Sequence, residues 1–392
     1  MAMEIERHGG GADEDFFPAV SNSPETKKSN VNRLLLLSLN VFLLVVGSTG
    51  SPLILRIYFI HGGNRKWFSA ALQTAGFPIL LVPLAISFLS RRRQGQGCRF
   101  SSSASAKLKV ILITPRLFFY SSILGLITGT DNFFYSYGVS YLPVSTSSLI
   151  ISTQLGFTAV FAFLIVGHKF TAESINAVII LTFGAVVLGV HANGDRPEGE
   201  SKGKYYIGFV MTLVAALVYG IVLPLVELLY AKAKQEITYT VVMEIQLILG
   251  LFATLVCVAG MLLNNDFQAI GKEAKEFGLG KTKYYLVVVF TAVTTQIFFL
   301  GAVGTINYTS AMFGGIIMSL SITFTEVLAV FFFHEKFDGE KGVALALSLW
   351  GSASYFYGEY KTTQKSKTNA MEVRRLRSSV LVSSQAVDED DG

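Results

Sequence analysis

Residues 153–174 read "TQLGFTAVFAFLIVGHKFTAES", and residues 320–341 read "LSITFTEVLAVFFFHEKFDGEK". A shift of 167 positions lays the first on the second. Over 150–184 against 317–351, eleven of thirty-five positions are identical, including Phe157 with Phe324, Thr158 with Thr325, Lys169 with Lys336, Phe170 with Phe337 and Glu173 with Glu340. Shared apolar composition accounts for part of that count. The K-F-x-x-E that follows each apolar run is not a composition effect, so the chain contains an internal repeat.

Composition says what kind of repeat this is. The chain has 392 residues, of which 51% are hydrophobic and only 15% charged, with a mean hydropathy of +0.51. Soluble domains carry about a quarter charged residues. The two ends are polar, and between them long apolar runs alternate with short charged breaks. A membrane-spanning helix needs about 20 apolar residues. Ten candidate spans follow, at 34–58, 67–90, 116–138, 143–166, 174–192, 205–230, 239–263, 284–305, 309–333 and 342–360. The third and fourth are separated only by "SYLPVS", where Pro143 disfavours helix in the residue before it.

The fold class is therefore an all-α membrane protein with ten transmembrane helices in two inverted five-helix repeats. An odd number of spans per half means that the second half enters the membrane upside down. The division is a tail over 1–32, a first repeat over 33–192, a connecting outer loop over 193–204, a second repeat over 205–360 and a tail over 361–392. Both tails read as disordered and cytoplasmic. The first 32 residues are acidic and lack the apolar core of a secretory signal. With both termini inside, the cytoplasmic segments hold 19 Lys and Arg and the outer loops 11, the bias that orients membrane proteins. The net charge of +5 is thus a topology signal, not a nucleic-acid footprint.

Inverted repeats are the architecture of many secondary transporters, whose substrate sits near the midplane between the halves. Other classes fit less well. In "KEFGLGKTK", Gly280-Lys281-Thr282 looks like the end of a phosphate-binding loop, but Lys275 stands where its first glycine belongs. The stretch reads as an outer loop entering a helix. The five histidines, His8, His61, His168, His191 and His334, lie in a tail or near span ends and form no H-x-x-x-H pair, so no enzyme site is read. Cys98 and Cys257 set up neither a disulfide framework nor a metal site, and no cofactor is implied.

Four acids fall inside the spans: Asp131, Glu227, Glu244 and Glu326. A charged side chain at the bilayer centre costs about 2.5–3.5 kcal/mol on insertion scales. Glu227 and Glu244 lie near inner helix ends, where they are either interfacial acids, watered or paired with Lys232 or Lys234, or functional groups. Asp131 and Glu326 lie deeper. A carboxyl that is neutral when sealed and ionised when wet suits a proton-coupled carrier. The alternative is a structural role, through Arg56, Arg116 or neighbouring helices. The amides Gln73, Asn132, Gln154, Gln246, Gln296 and Asn307 each offer a donor and an acceptor, which matches a nucleobase edge. Trp67, Phe133, Tyr137, Tyr219 and Tyr308 offer stacking faces. Together they favour a flat polar heterocycle over a sugar or an inorganic ion, although a single amide is as readily interhelical glue. Gly125 with Gly129, and Gly301 with Gly304, read as close helix contacts.

Three stretches carry a resemblance: "LRIYFIHGGNRKWFSAALQTAGFPILLVPL", "TGTDNFFYSYGVSYLPVSTSSLIISTQLGFTAVFAFLIVGHKFT" and "LPLVELLY". They resemble the plant purine permease family, within the drug/metabolite transporter superfamily, and the likeness runs over about 33–360. The resemblance implies proton-coupled uptake of adenine, cytokinin free bases and related heterocycles. Some members carry alkaloids or vitamin B6 forms. It implies residence at the plasma membrane, or at vacuolar or endoplasmic reticulum membranes as the alternative. On that basis Trp67, Gln73, Asn132, Tyr137, Gln154, Gln296, Asn307 and Thr323 are expected at the substrate site, and Asp131 and Glu326 as proton-coupling acids.

Overall fold

The computed structural model describes residues 24–97, 111–167, 171–190, 201–334 and 337–390. The K-F of both K-F-x-x-E motifs is wholly or partly outside this set, as are Cys98, His168, His191, most of the 193–204 loop and the first 23 residues.

The described chain is helical. In order come α1 (Pro24–Ile60), α2 (Lys66–Thr74), α3 (Leu81–Gly97), α4 (Pro115–Tyr141), α5 (Val144–Ser152), α6 (Gln154–Phe161), α7 (Ala172–Val190), α8 (Lys202–Ala231), α9 (Tyr239–Leu263), α10 (Asp266–Glu276), α11 (Lys281–Tyr308), α12 (Ala311–Phe333) and α13 (Gly339–Asp390). Seven segments are long and apolar enough to cross a membrane: Val31–Ile60, Lys66–Arg93, Val144–Val166, Lys202–Ala231, Tyr239–Leu263, Lys281–Tyr308 and Ala311–Phe333. They overlap seven of the ten expected spans. The other three fall on α4, α7 and α13. Helix α4 is long enough, about 40 Å at 1.5 Å per residue, but it is diluted by polar residues. Ser121, Ser122, Thr128, Asp131, Asn132 and Ser136 are all buried, so its polar face is turned into the protein. The outward surface is apolar: Phe42, Val82, Phe183, Phe331 and Trp350 are each more than half exposed. Such a surface fits a lipid surround.

Local chemistry sets the boundaries. Pro115 opens α4, and Pro143 caps α5, so "SYLPVS" does break the chain there. Ser310 Oγ and Thr238 Oγ1 accept from the third residue on, Phe313 N at 3.1 Å and Val241 N at 3.5 Å, and so cap α12 and α9. Gly280, at φ +88°, turns the chain into α11, so "GLGKT" is a helix entry. Two expected spans are broken. The second bends through a tight turn at Phe77–Leu80. The fourth tightens at Thr153, whose N–H bonds Ile150 O at 3.1 Å, and ends in a π-type turn over Ala162–Val166. Helix α10, in what reads as outer loop, is an addition. The 361–390 stretch, expected as disordered, continues α13 as helical backbone. It contains no Pro or Gly to stop the helix.

Helix α1 lies along α11, α4 lies between α8 and α9, and α7 pairs with α13; α12 contacts α1 and α5, and α6 contacts α8. Glycines allow the closest of these contacts. A Cβ on Gly129 would sit 2.6 Å from Ala253 O of α9, and one on Gly304 would overlap the Asn40 side chain of α1.

Candidate substrate cavity

Residues of eight helices line one partly open pocket between them. Helix α1 contributes Gly47, Ser48, Ser51 and Pro52. Helix α2 brings Gln73, and α4 brings Asp131, Asn132 and Tyr135. Ser148 and Ile151 come from α5 and Gln154 from α6, beside the irregularity at Thr153. Helix α8 gives Ala215 and Tyr219, α11 gives Thr295, Phe298 and Phe299, and α12 gives Met318, Ile322 and Thr325. Helices from both the first and the second half of the chain therefore supply the walls.

The lining combines flat aromatic faces with a few polar groups. The Tyr219 ring lies 6.0 Å from Phe298 and 6.4 Å from Phe299. Ser51 Oγ and Thr295 Oγ1 are 2.7 Å apart and tie α1 to α11. Thr325 Oγ1 donates to Ser321 O at 3.1 Å. Asp131 is 4% exposed, and its Oδ1 has no hydrogen-bond partner among the described residues. Of the expected arginine partners, Arg116 lies fifteen residues before Asp131 on α4, about 22 Å along the helix. Arg56 Nη1 reaches Val139 O at 3.3 Å, and no ion pair involves Asp131 among the described residues.

The expected site residues separate into two groups. Gln73, Asn132, Gln154 and Asp131 come together in the lining. Trp67 and Tyr137 do not join it. Trp67 stacks on Phe133 at 3.9 Å and 18°, and Lys66 Nζ lies 5.9 Å from the Tyr137 ring and 4.9 Å from that of Tyr141. These contacts zip the start of α2 along the end of α4. Gln296 is buried, with both amide atoms unpartnered among the described residues, but stands outside the lining. Asn307 sits on the last turn of α11. Glu326 is fully buried next to the lining residue Thr325 and does not itself face the cavity. The side chain of Thr323 lies outside the described residues. Sequence reasoning missed Tyr135, Ser48, Ser51, Ser148, Thr295 and Phe298. A hydroxyl or a ring in an apolar helix is common, and nothing in its spacing marks it.

The other two acids in the spans are structural fasteners here. Glu244 accepts Leu112 N at 3.1 and 2.8 Å and Ile113 N at 2.8 Å. Glu227 Oε2 accepts Ala311 N at 2.8 Å, at the start of α12.

A cavity of this kind could serve many solutes. Comparison with known proteins narrows the choice. Residues 35–365 match a family model described as purine nucleobase transmembrane transport. The chain belongs to that family. Purine permease 3 of Arabidopsis thaliana is 51% identical over 327 residues, 83% of this chain and 91% of that one. Purine permease 2 of the same plant is 47% identical over 355 residues, 88% and 97% of the two chains. Purine permease 21 is 32% identical over 351 residues, 89% and 87%. A solved crystal structure of a protein superposes with a TM-score of 0.51 at 16% identity, over 82% of this chain and 98% of its own; that likeness concerns fold alone. The relatives are named as permeases, not enzymes. This purine permease family member is a multi-pass membrane protein.

Proposed function

We propose that the chain is a secondary active transporter that takes up purine nucleobases and their derivatives, adenine and cytokinin free bases among them, together with a proton. The observation that carries this reading is Asp131, an acid in the wall of the central cavity with an oxygen that nothing in the described protein satisfies. Sealing an ionised carboxylate away from water is costly, so closure around substrate is easiest with the proton on. Opening to water on the other side lets it leave. Gln73, Asn132 and Gln154 supply the polar contacts, and Tyr219, Phe298 and Tyr135 the faces on which a flat ring stacks. Glu326, in the other half of the chain, is the second candidate for the proton path.

The architecture proposed is ten spans in two inverted repeats that rock about the cavity. Contacts between helices support it. The 167-residue shift carries α4 to α11, α5–α6 to α12, and α8 back to α1. The α1–α11 contact then corresponds to α4–α8, and α1–α12 corresponds to α6–α8; both members of each pair are present. Interrupted second and fourth spans beside the cavity also fit a transporter. The charge bias supports both termini in the cytoplasm, and the family resemblance suggests the plasma membrane.

The test is uptake of labelled adenine and of a labelled cytokinin into yeast lacking its own purine permease, at outside pH 5 and pH 7.5. Uptake should rise at pH 5 and collapse with a protonophore. Uptake indifferent to both would leave a facilitator, and no uptake by confirmed surface protein would point to another heterocycle or an internal membrane.

A further inference from the structure

The polar groups facing the cavity differ in what they can still bond. Gln73 is pinned. Its Nε2 donates to Ser69 O, one turn back on α2, at 3.3 Å and to Ser136 Oγ on α4 at 2.6 Å. A backbone carbonyl only accepts, so turning the amide over would set two oxygens against each other. Both amide hydrogens are spent inside the protein, and Oε1 is the atom left for the cavity. Asn132 and Gln154 are held loosely by comparison. Asn132 Nδ2 has no partner among the described residues. Gln154 Nε2 reaches Met318 Sδ at 3.6 Å, and a thioether is a weak acceptor. Each of these amides can present oxygen or nitrogen at little cost.

We propose that Gln73 is a specificity-determining residue: a fixed acceptor that selects heterocycles bearing an exocyclic amino group over their oxo counterparts, with Ser136 as its positioning residue. The inference rests on the reading of the cavity as a nucleobase site. An amino group donates to Gln73 Oε1. A carbonyl at the same place meets oxygen with oxygen, and a site built to accept an N–H rejects a ligand that lacks it. Ser136 is fully buried and outside the lining, so it acts through Gln73. Without its hydroxyl, Nε2 keeps only the longer bond to Ser69 O, and the amide turns freely enough to offer its N–H to a carbonyl.

Adenine and hypoxanthine test this, since they share a ring system and differ by amino against oxo at one carbon, with the neighbouring ring nitrogen an acceptor in the first and an N–H in the second. Full-length protein in proteoliposomes takes up labelled adenine, and each unlabelled base competes. Wild type should prefer adenine by about tenfold or more. In Ser136→Ala the preference should shrink by about fivefold, mostly through tighter hypoxanthine binding, with the maximal adenine rate little changed. Gln73→Met, near in shape but without the acceptor, gives a second route should that variant fold poorly. It should weaken adenine by about tenfold and leave hypoxanthine where it was. Equal competition by the two bases in wild type would overturn the proposal. So would Ser136→Ala or Gln73→Met variants that shift both bases equally, which is what a merely structural role produces. If wild type neither binds nor moves adenine, the nucleobase reading of the cavity fails, and this inference with it.

Discussion

Glu244 and Asp131 are both buried carboxylates in membrane-length helices, 5% and 4% exposed, yet the protein treats them in opposite ways. Glu244 takes the backbone N–H groups of Leu112 and Ile113 and so clamps the segment leading into α4 against α9. Glu273, on α10, is similar: Tyr58 OH donates to it at 2.6 Å, Tyr284 OH at 3.1 Å and Asn64 N at 3.2 Å. Asp131 has no such set. An acid whose lone pairs are filled by fixed donors is a rivet. One left open at a cavity wall costs stability and is kept where exchange of a partner is useful. Burial alone does not distinguish the two; the hydrogen-bond inventory does.

The sharpest way to break this comparison is to neutralise both acids. Asp131→Asn should abolish concentrative adenine uptake while the protein still reaches the membrane at normal amount, read by surface labelling beside uptake. Glu244→Ala should do the reverse. It orphans two backbone donors and should cost about 3 kcal/mol or more, seen as a lower thermal midpoint in detergent and less protein at the surface. Glu244→Gln keeps one acceptor and should lose less. Tyr58→Phe and Tyr284→Phe each remove one of the bonds to Glu273, worth about 1 kcal/mol apiece, and should shift the midpoint by a few degrees without altering the pH dependence of uptake.

The smallest effect belongs to Glu173, at the start of α7. Its own backbone N–H, and then Lys361 at 3.3 Å, hold its carboxyl below the usual range. A depressed acid contributes above its unfolded value and loses that contribution as pH falls through its folded value. The pair is open to solvent, where ion pairs contribute little. Lys361→Ala should leave the thermal midpoint at neutral pH unchanged within error.

Much of this was legible in the sequence, and for identifiable reasons. Long apolar runs mark helices because a lipid surround demands them, and the break at Pro143 followed from proline's own geometry. Asp131, Asn132, Gln73 and Gln154 stood out because an acid or amide is rare among Phe, Gly and Leu. Trp67 and Gln296 stood out equally and lie outside the cavity, since rarity says nothing about which way a helix face turns. The serines and threonines of the lining were invisible, because a hydroxyl can satisfy itself on its own helix, as Thr295 does with Thr291 O at 2.8 Å. Helix α10 was missed because eleven residues of mixed charge look like loop until Glu273 is seen fastened from three sides.

The most direct measurement is a paired assay in proteoliposomes, comparing wild type with Asp131→Asn. One arm drives labelled adenine inward with a proton gradient; the other follows exchange of labelled for unlabelled adenine with no gradient. Wild type should do both. Asp131→Asn should still exchange adenine but no longer accumulate it when a proton gradient is imposed. Gradient-driven accumulation that survives in Asp131→Asn would contradict the assignment of the proton to this carboxylate.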